Sequence, residues 1–256
     1  MADHLTTTSE SLAAQAAVGE ATFTASGGSM KIRFHSADPT ETGSANEISA
    51  GGGYSTGGIA VTPVATLTGL VASLGAFTLS NAPAAVITHW SLWDGTTTYC
   101  YGTYSKTLSA TKDYEWNSGD FTFTFSGDWT EFFAQKVWDA IRGNASYINT
   151  TPKLIAFTAS PGTTGAVSNE AANASYARPT ATWGAESGGA ISISANAEYG
   201  TAYVTASENI THLGVVDENE TPDKITFFDT PTGGTITVNV GETLRSKASE
   251  FTVTAS

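Results

Sequence analysis

The strongest constraint on this chain is that it repeats itself. Ile87 to Asp94 reads Ile-Thr-His-Trp-Ser-Leu-Trp-Asp; 123 positions later, Ile210 to Asp217 reads Ile-Thr-His-Leu-Gly-Val-Val-Asp, with four identities. The same offset carries Asn46-Glu47 onto Asn169-Glu170 and Phe34 onto Phe157. A one-residue slip carries Tyr54 onto Tyr176 and Gly19 onto Gly143. Agreement in separated places marks a tandem duplication. Two copies of one domain are therefore expected, residues 1–127 and 128–256, each of ordinary domain size.

Each copy opens with a helix signal. In the second, Asp128-Trp129-Thr130-Glu131 has capping-box spacing, with Asp128 as N-cap and Glu131 at N3. Trp129, Phe133, Val137 and Ile141 follow at helical spacing, and Gly143 supplies the stop. In the first copy, Thr7-Thr8-Ser9-Glu10 leads into Leu12 to Val18 and then Gly19. Its apolar face is mostly Ala, so this helix is expected to fray or to pack on a partner.

Short strand-like runs follow in both copies. In the first they are Met30 to His35, Ile59 to Val64, Ala76 to Leu79, Val86 to Trp93, Tyr99 to Tyr104 and Phe121 to Phe125. In the second they are Lys153 to Thr158, Ala190 to Ser194, Ala202 to Thr205, Ile210 to Val216, Ile225 to Phe228, Thr235 to Val240 and Phe251 to Thr254. Runs such as Phe121-Thr122-Phe123-Thr124-Phe125 alternate with period two, as half-buried antiparallel strands do. The expected fold is mainly β: two tandem antiparallel β-sandwich or barrel-like domains, each preceded by a short α-helix. Gly51-Gly52-Gly53-Tyr54 reads as a flexible joint ending in an aromatic anchor. The linker at Ser126-Gly127 is brief, so the copies should keep a fixed mutual orientation.

Charge narrows the partners. The 256 residues carry 24 acidic and 11 basic side chains, a formal net charge of −13, with no Lys/Arg cluster. Nucleic-acid binders present basic faces to phosphates, so direct nucleic-acid contact is not expected. Tyr54 to Trp93 has no charged residue, but Pro63 and Pro83 interrupt it, and it reads as neutral strands, not as a membrane span. The polar, acidic start, Met1 to Ser9, does not read as a signal peptide. Cys100, the one cysteine, allows no intrachain disulfide and reads as a small buried hydrophobe.

Sites for chemistry are scarce. His89 and His212 are repeat equivalents, His35 lies in a strand, and His4 lies in the leading tail. None has a second ligand at metal spacing, so a structural role is expected for each. Asp94 and Asp217 read as turn starters. The run Asp217-Glu218-Asn219-Glu220 lacks the glycine and ligand alternation of a calcium loop. No phosphate-binding glycine loop, zinc spacing or nucleophile elbow occurs. No catalytic residue, cofactor or metal ligand is expected, and no enzymatic activity.

The order of motifs resembles a known family. A helix ends in Gly, and a hydrophobic strand follows. Then come Ser36-Ala37-Asp38-Pro39-Thr40, Asn46-Glu47, Gly51-Gly52-Gly53-Tyr54, Ile-Thr-His with a following Asp, and an alternating closing strand. This resembles the domain of tailed-bacteriophage virion proteins often labelled "tail fibre protein", also seen as head decorations or appendages. The second copy carries the helix motif best, Trp138-Asp139-Ala140-Ile141-Arg142-Gly143. It departs at the loop, with Ser160-Pro161-Gly162 and Ala174-Ser175-Tyr176.

The resemblance implies a virion structural protein made in the host cytoplasm, associating with the major capsid protein or with tail proteins and forming a homo-oligomer. The leading expectation is a capsid decoration or cement protein on the outer head surface. The alternative is a tail fibre or tail or neck appendage engaged in host attachment. The neutral span of the first copy suggests an interaction surface of Tyr54, Ile59, Val61, Val64, Leu67, Leu70, Trp90 and Trp93, because neutral surface is buried without desolvating charge. The same residues would serve equally as that copy's own core.

Overall fold

A computed structural model describes residues 4–24 and 29–255; Met1 to Asp3 of the polar start and Ser256 of the expected second copy lie outside these. Among the described residues the fold is mainly β, with two helices and several antiparallel sheets, and no sheet closes into a barrel. The larger sheet runs, edge to edge, through His4–Leu5, Thr98–Leu108, Ala85–Trp93, Lys31–His35 and Ile59–Ala60, all antiparallel. Its counterpart in the second half is Pro152–Phe157, His212–Asp217 and Lys224–Asp229.

Short two-stranded ladders face these sheets. Val71–Ser73 pairs with Thr122–Thr124, and Phe77–Leu79 with Tyr114–Trp116. Their counterparts are Ala190–Ser192 with Thr252–Thr254 and Ala197–Glu198 with Arg245–Ser246. The layers meet through aromatic rings. Phe34 of the large sheet lies 5.1 Å from Trp116 and 5.9 Å from Phe121, and Trp90 meets Phe121 edge-on at 5.7 Å. Rings at such spacings add to plain area burial.

The expected strands shift where the backbone demands it. Ile59 to Val64 shortens to Ile59–Ala60, because after the Val61 bond to Met30 the chain changes partners, the Gly75 N–H donating to Thr62 O and the Val64 N–H to Ser73 O. Ala202 to Thr205 forms no strand; Tyr203 instead exchanges single backbone bonds with Gly241 and Glu242. Gly51 to Tyr54 is a close-packed turn, not a flexible joint. Gly52 has φ +56°, and a Cβ there would lie 1.7 Å from the Asn81 carbonyl oxygen; one on Gly53 would lie 2.0 Å from that of Ser80. Only glycine permits this approach.

Helix α1 spans Thr7–Ala17 and helix α2 spans Glu131–Ile141. The N-cap of α2 is Thr130, not Asp128, and Glu131 is the first helical residue. The reason is tertiary. The Thr130 hydroxyl accepts from the Phe133 N–H (3.2 Å) and donates to the Ile225 carbonyl (2.6 Å), and an ionised carboxylate has no proton to donate. Thr6, at the head of α1, likewise donates to the Thr98 carbonyl (2.7 Å). Gly19 and Gly143 follow the helices with φ +79° and +76°, the left-handed stop.

The two halves share one core. Phe125, Trp129, Phe133 and Phe227 form a chain of rings at 4.9–5.4 Å that crosses the linker. Phe125 and Trp129, on either side of Ser126-Gly127, are each 1 % exposed. Helix α1 starts on its own sheet and packs over Ala190–Ser192 and Thr252–Thr254 of the other half. Its Ala face is the close-fitting surface: Ala13, Ala14, Ala16 and Ala17 are wholly buried. Helix α2 reciprocates. Trp138 Nε1 donates to the Val64 carbonyl (2.7 Å), and Gln135 bonds both Ala65 O and Leu67 N at 3.0 Å.

Candidate interaction site

The neutral span of the first half divides between core and surface. Tyr54 and Trp90 are each 2 % exposed and belong to the core, so neither offers surface. Val61, also buried, lines a hollow of about 390 Å³ shared with Pro63 and Arg142. Val64 and Leu67 lie under helix α2 through the bonds above. Ile59, Leu70 and Trp93 are half-buried. Part of this span therefore docks the chain's own second half.

The Asn-Glu motif has a physical reason in both halves. Asn46 and Asn169 sit at φ +58° and +56°, a region asparagine tolerates better than most residues. Each closes the preceding loop: Asn46 Nδ2 donates to Asp38 O (2.6 Å), and Asn169 Nδ2 to Ser160 O (2.8 Å). The glutamate then turns to a tyrosine. Tyr54 donates to Glu47 (2.9 Å) and accepts from the Phe34 N–H (3.1 Å); Tyr176 accepts from the Ala156 N–H (2.9 Å). These bonds equate Phe34 with Ala156 and His35 with Phe157, one residue from the match of Phe34 with Phe157.

The arginines beside these glutamates differ. In the second half Arg178, from the loop, forks onto Glu170 with two bonds of 2.7 Å and also reaches Asp223 (2.6 Å) and Glu218 (3.2 Å). In the first half Arg33, from the strand, is 8 % exposed, and its Nε lies 3.8 Å from Glu47 with no hydrogen-bond partner. Its guanidinium lies 3.2 Å from the centre of the Trp93 ring, and Trp93 Nε1 donates to Gly57 O (2.6 Å). The acidic run is drawn into ion pairs and turns. Glu218 and Asp223 hold Arg178, Glu220 holds Lys136 at 2.7 Å, and Asp217 accepts from Asn219 N and from the Tyr147 hydroxyl.

The histidines are built into the sheets. Thr88 bonds the Nδ1 of His89 (2.8 Å), and Thr211 that of His212 (2.9 Å), the same local clasp in each Ile-Thr-His. His35 is wholly buried opposite His89. Its Nδ1 faces the Ala45 carbonyl (2.7 Å), which can only accept, so Nδ1 carries the proton and Nε2 accepts from Ser91 Oγ (2.8 Å). Burial first, then Arg33 and His89, push His35 down to about 4 against the Ala45 bond. The group is a neutral core histidine. Asp94 collects the Thr96 and Thr97 N–H groups at 2.7 Å, the work of a turn starter. Cys100 is buried. Among the described residues no three His, Cys, Asp or Glu side chains come together as a metal site.

Two hollows flank the loop that carries Ser-Ala-Asp-Pro-Thr. One, of about 230 Å³, lies among His4, Asp38, Glu41, His89 and Tyr101. The other, of about 300 Å³, lies between Arg33, the start of α1 and the turn at Thr97. Composition and spacing single out neither Arg33 nor Arg178. The one available signal is a charged residue amid the apolar Ile32 and Phe34.

Comparison with known families supports a phage tail fibre-like virion protein, the class the repeat and loop motifs resemble. The matching family model is described as Podophage GP4 fiber I protein gp80, and it covers residues 128–254. Comparison with curated proteins gives no match. The fibre description fits the appendage alternative better than the expected head decoration. No helix among the described residues is long and apolar enough to cross a membrane.

Proposed function

We propose that this chain is a non-enzymatic structural subunit of a tailed-phage fibre or tail appendage, working in host attachment. The observation that carries the reading is the family match over residues 128–254. The shared core supports it. Two halves joined through Phe125, Trp129 and Phe227 form a stiff unit that transmits orientation from an attaching half to a displayed half. The net charge of −13 accords with a place away from packaged nucleic acid. Other tail proteins, and further copies of this chain, are the proposed partners. The half-buried Ile59 and Leu70 lie at the first half's surface for them, whereas the Trp93 ring is already covered by the Arg33 guanidinium.

The test is the number of copies per virion, by quantitative mass spectrometry against the major capsid protein, with antibody labelling in electron micrographs. The reading expects few copies and label at the tail. A copy number near that of the major capsid protein, with label over the head, overturns it in favour of decoration.

A further inference from the structure

Pairing registers equate the late strands of the two halves residue by residue. Ile87 pairs with Lys106 and its counterpart Ile210 with Ile236, so Ile236 stands where the first half has Lys106. Phe77 pairs with Trp116 and Ala197 with Ser246, so Leu244, two residues earlier, stands where the first half has Tyr114. The turns that follow agree. The Asn117 N–H donates to Asp120 and the Lys247 N–H to Glu250, each at 2.8 Å.

In the first half a ring fills the corner between these strands. The Tyr114 hydroxyl reaches back to accept from the Ser109 N–H (2.7 Å), and the Lys106 ammonium lies 5.5 Å from the ring centre. In the second half the corner is open. Leucine is shorter than tyrosine, and isoleucine has no ammonium group. A hollow of about 550 Å³ lies there, lined by Ile236, Val238, Leu244, Glu242 and Lys247 among others. The N–H that corresponds to that of Ser109 belongs to Asn239, and Glu242 Oε2 caps it at 2.8 Å. A carboxylate oxygen thus does the work of the phenol oxygen, with no ring behind it. Both bonds to this carboxylate, from Asn239 N and Nδ2, fall on Oε2, so Oε1 keeps its acceptor capacity.

We infer that this hollow is a binding site for a phenol ring supplied by another molecule. The ring lies on Ile236, Val238 and Leu244, and its hydroxyl donates to Glu242. Lys247, held only at 3.7 Å by Glu250, supplies the cation that Lys106 gives Tyr114. An apolar floor with a few convergent polar groups is the make-up of a small-ligand pocket, and the volume lies in the usual range. A tyrosine of a partner protein and a free phenolic compound present the same group. The site does not depend on where in the virion the protein stands.

The experiment is an NMR titration of the full chain with N-acetyl-L-tyrosinamide, p-cresol, N-acetyl-L-phenylalaninamide and methyl glucoside. Saturable shifts of the Thr237, Leu244 and Lys247 amides are expected with the first two. Tighter binding of the tyrosine compound than of p-cresol assigns the ring to a protein partner, and the reverse order assigns it to a free phenol. The phenylalanine compound, which has no hydroxyl to give the carboxylate, binds about tenfold more weakly, and methyl glucoside causes no shift. Leu244→Tyr supplies the ring from within and abolishes binding. Should it fail to fold, Glu242→Gln, which keeps an acceptor for Asn239, lowers the affinity for the tyrosine compound to that for the phenylalanine one. No saturable shift with either phenol, equal binding of methyl glucoside, or full binding by a folded Leu244→Tyr or Glu242→Gln overturns the site.

Discussion

Phe23 and Tyr147 bond each other reciprocally: the Phe23 N–H donates to the Tyr147 carbonyl (2.8 Å), and the Tyr147 N–H to the Phe23 carbonyl (3.0 Å). The slip that carries Gly19 onto Gly143 also carries Phe23 onto Tyr147, so under the expected duplication a position pairs with its own equivalent. That is the mark of an isologous, two-fold contact, here built into one chain. Helix α1 packs over Ala190–Ser192 and Thr252–Thr254, and helix α2 bonds Val64, Ala65 and Leu67. Neither half should therefore fold well alone. Residues 1–127 and 128–256 expressed separately are expected to give broad, low-temperature melts, and co-expression is expected to restore a cooperative transition and a one-to-one complex. A separately expressed 128–256 with a sharp melt equal to that of the parent would refute this coupling.

Trp129 is the keystone of the shared core, with rings on three sides and 1 % exposure. Trp129→Ala should cost about 3–5 kcal/mol, the range for emptying a large aromatic site. Because Phe125 and Phe227 belong to different halves, one transition should still be seen, shifted down as a whole. Two separated transitions in calorimetry would show that the halves unfold independently.

The fold class was legible because strand alternation is local: Thr235 to Val240 and Phe121 to Phe125 show their period to any reader. The repeat was legible for the same reason, since Ile-Thr-His and Asn-Glu are contiguous. What stayed hidden depends on distant partners. Thr130 displaces Asp128 as N-cap because Ile225, far along the chain, needs a donor. The glycines at 51–53 looked loose because the Ser80 and Asn81 carbonyls that crowd them come from another turn. Tyr54 and Trp90 were left open between surface and core, because hydrophobicity alone does not separate a docking face from a core, and the fold buries both. Arg33 was overlooked because its interest lies in a bond it does not make.

Arg178 should be a stability residue. It gathers Glu170, Asp223 and Glu218, and these bonds raise its guanidinium above the ordinary range despite burial. Replacing it leaves three neighbouring carboxylates without a counter-charge. Arg178→Gln is expected to lose about 2–3 kcal/mol, between the values for exposed and buried pairs, with part of the loss recovered in high salt. Denaturant melts at low and high ionic strength measure both parts. An unchanged midpoint in both would mean that the network contributes nothing.

Glu10 and His35 make opposing contributions to stability as pH changes. The Glu10 carboxyl is pushed up to about 7, first by burial and then by Glu41. Folded protein thus keeps a proton that the unfolded chain releases near 4.5, and its contribution, full below that value, is lost as pH rises through about 7. His35, held down to about 4, acts the other way: its contribution is full above 6.5 and is lost as pH falls through about 4. The two slopes oppose each other between 4.5 and 6.5, and only Glu10 acts on the alkaline side of that window. The α1 first turn carries Glu10 against Gly189 of the other half, so an ionised carboxylate there loosens the contact between halves. Glu10→Gln should melt with the parent at pH 4 and above it at pH 8, the gap opening through neutrality. A gap that is the same at both pH values would show that Glu10 acts by shape and not by charge.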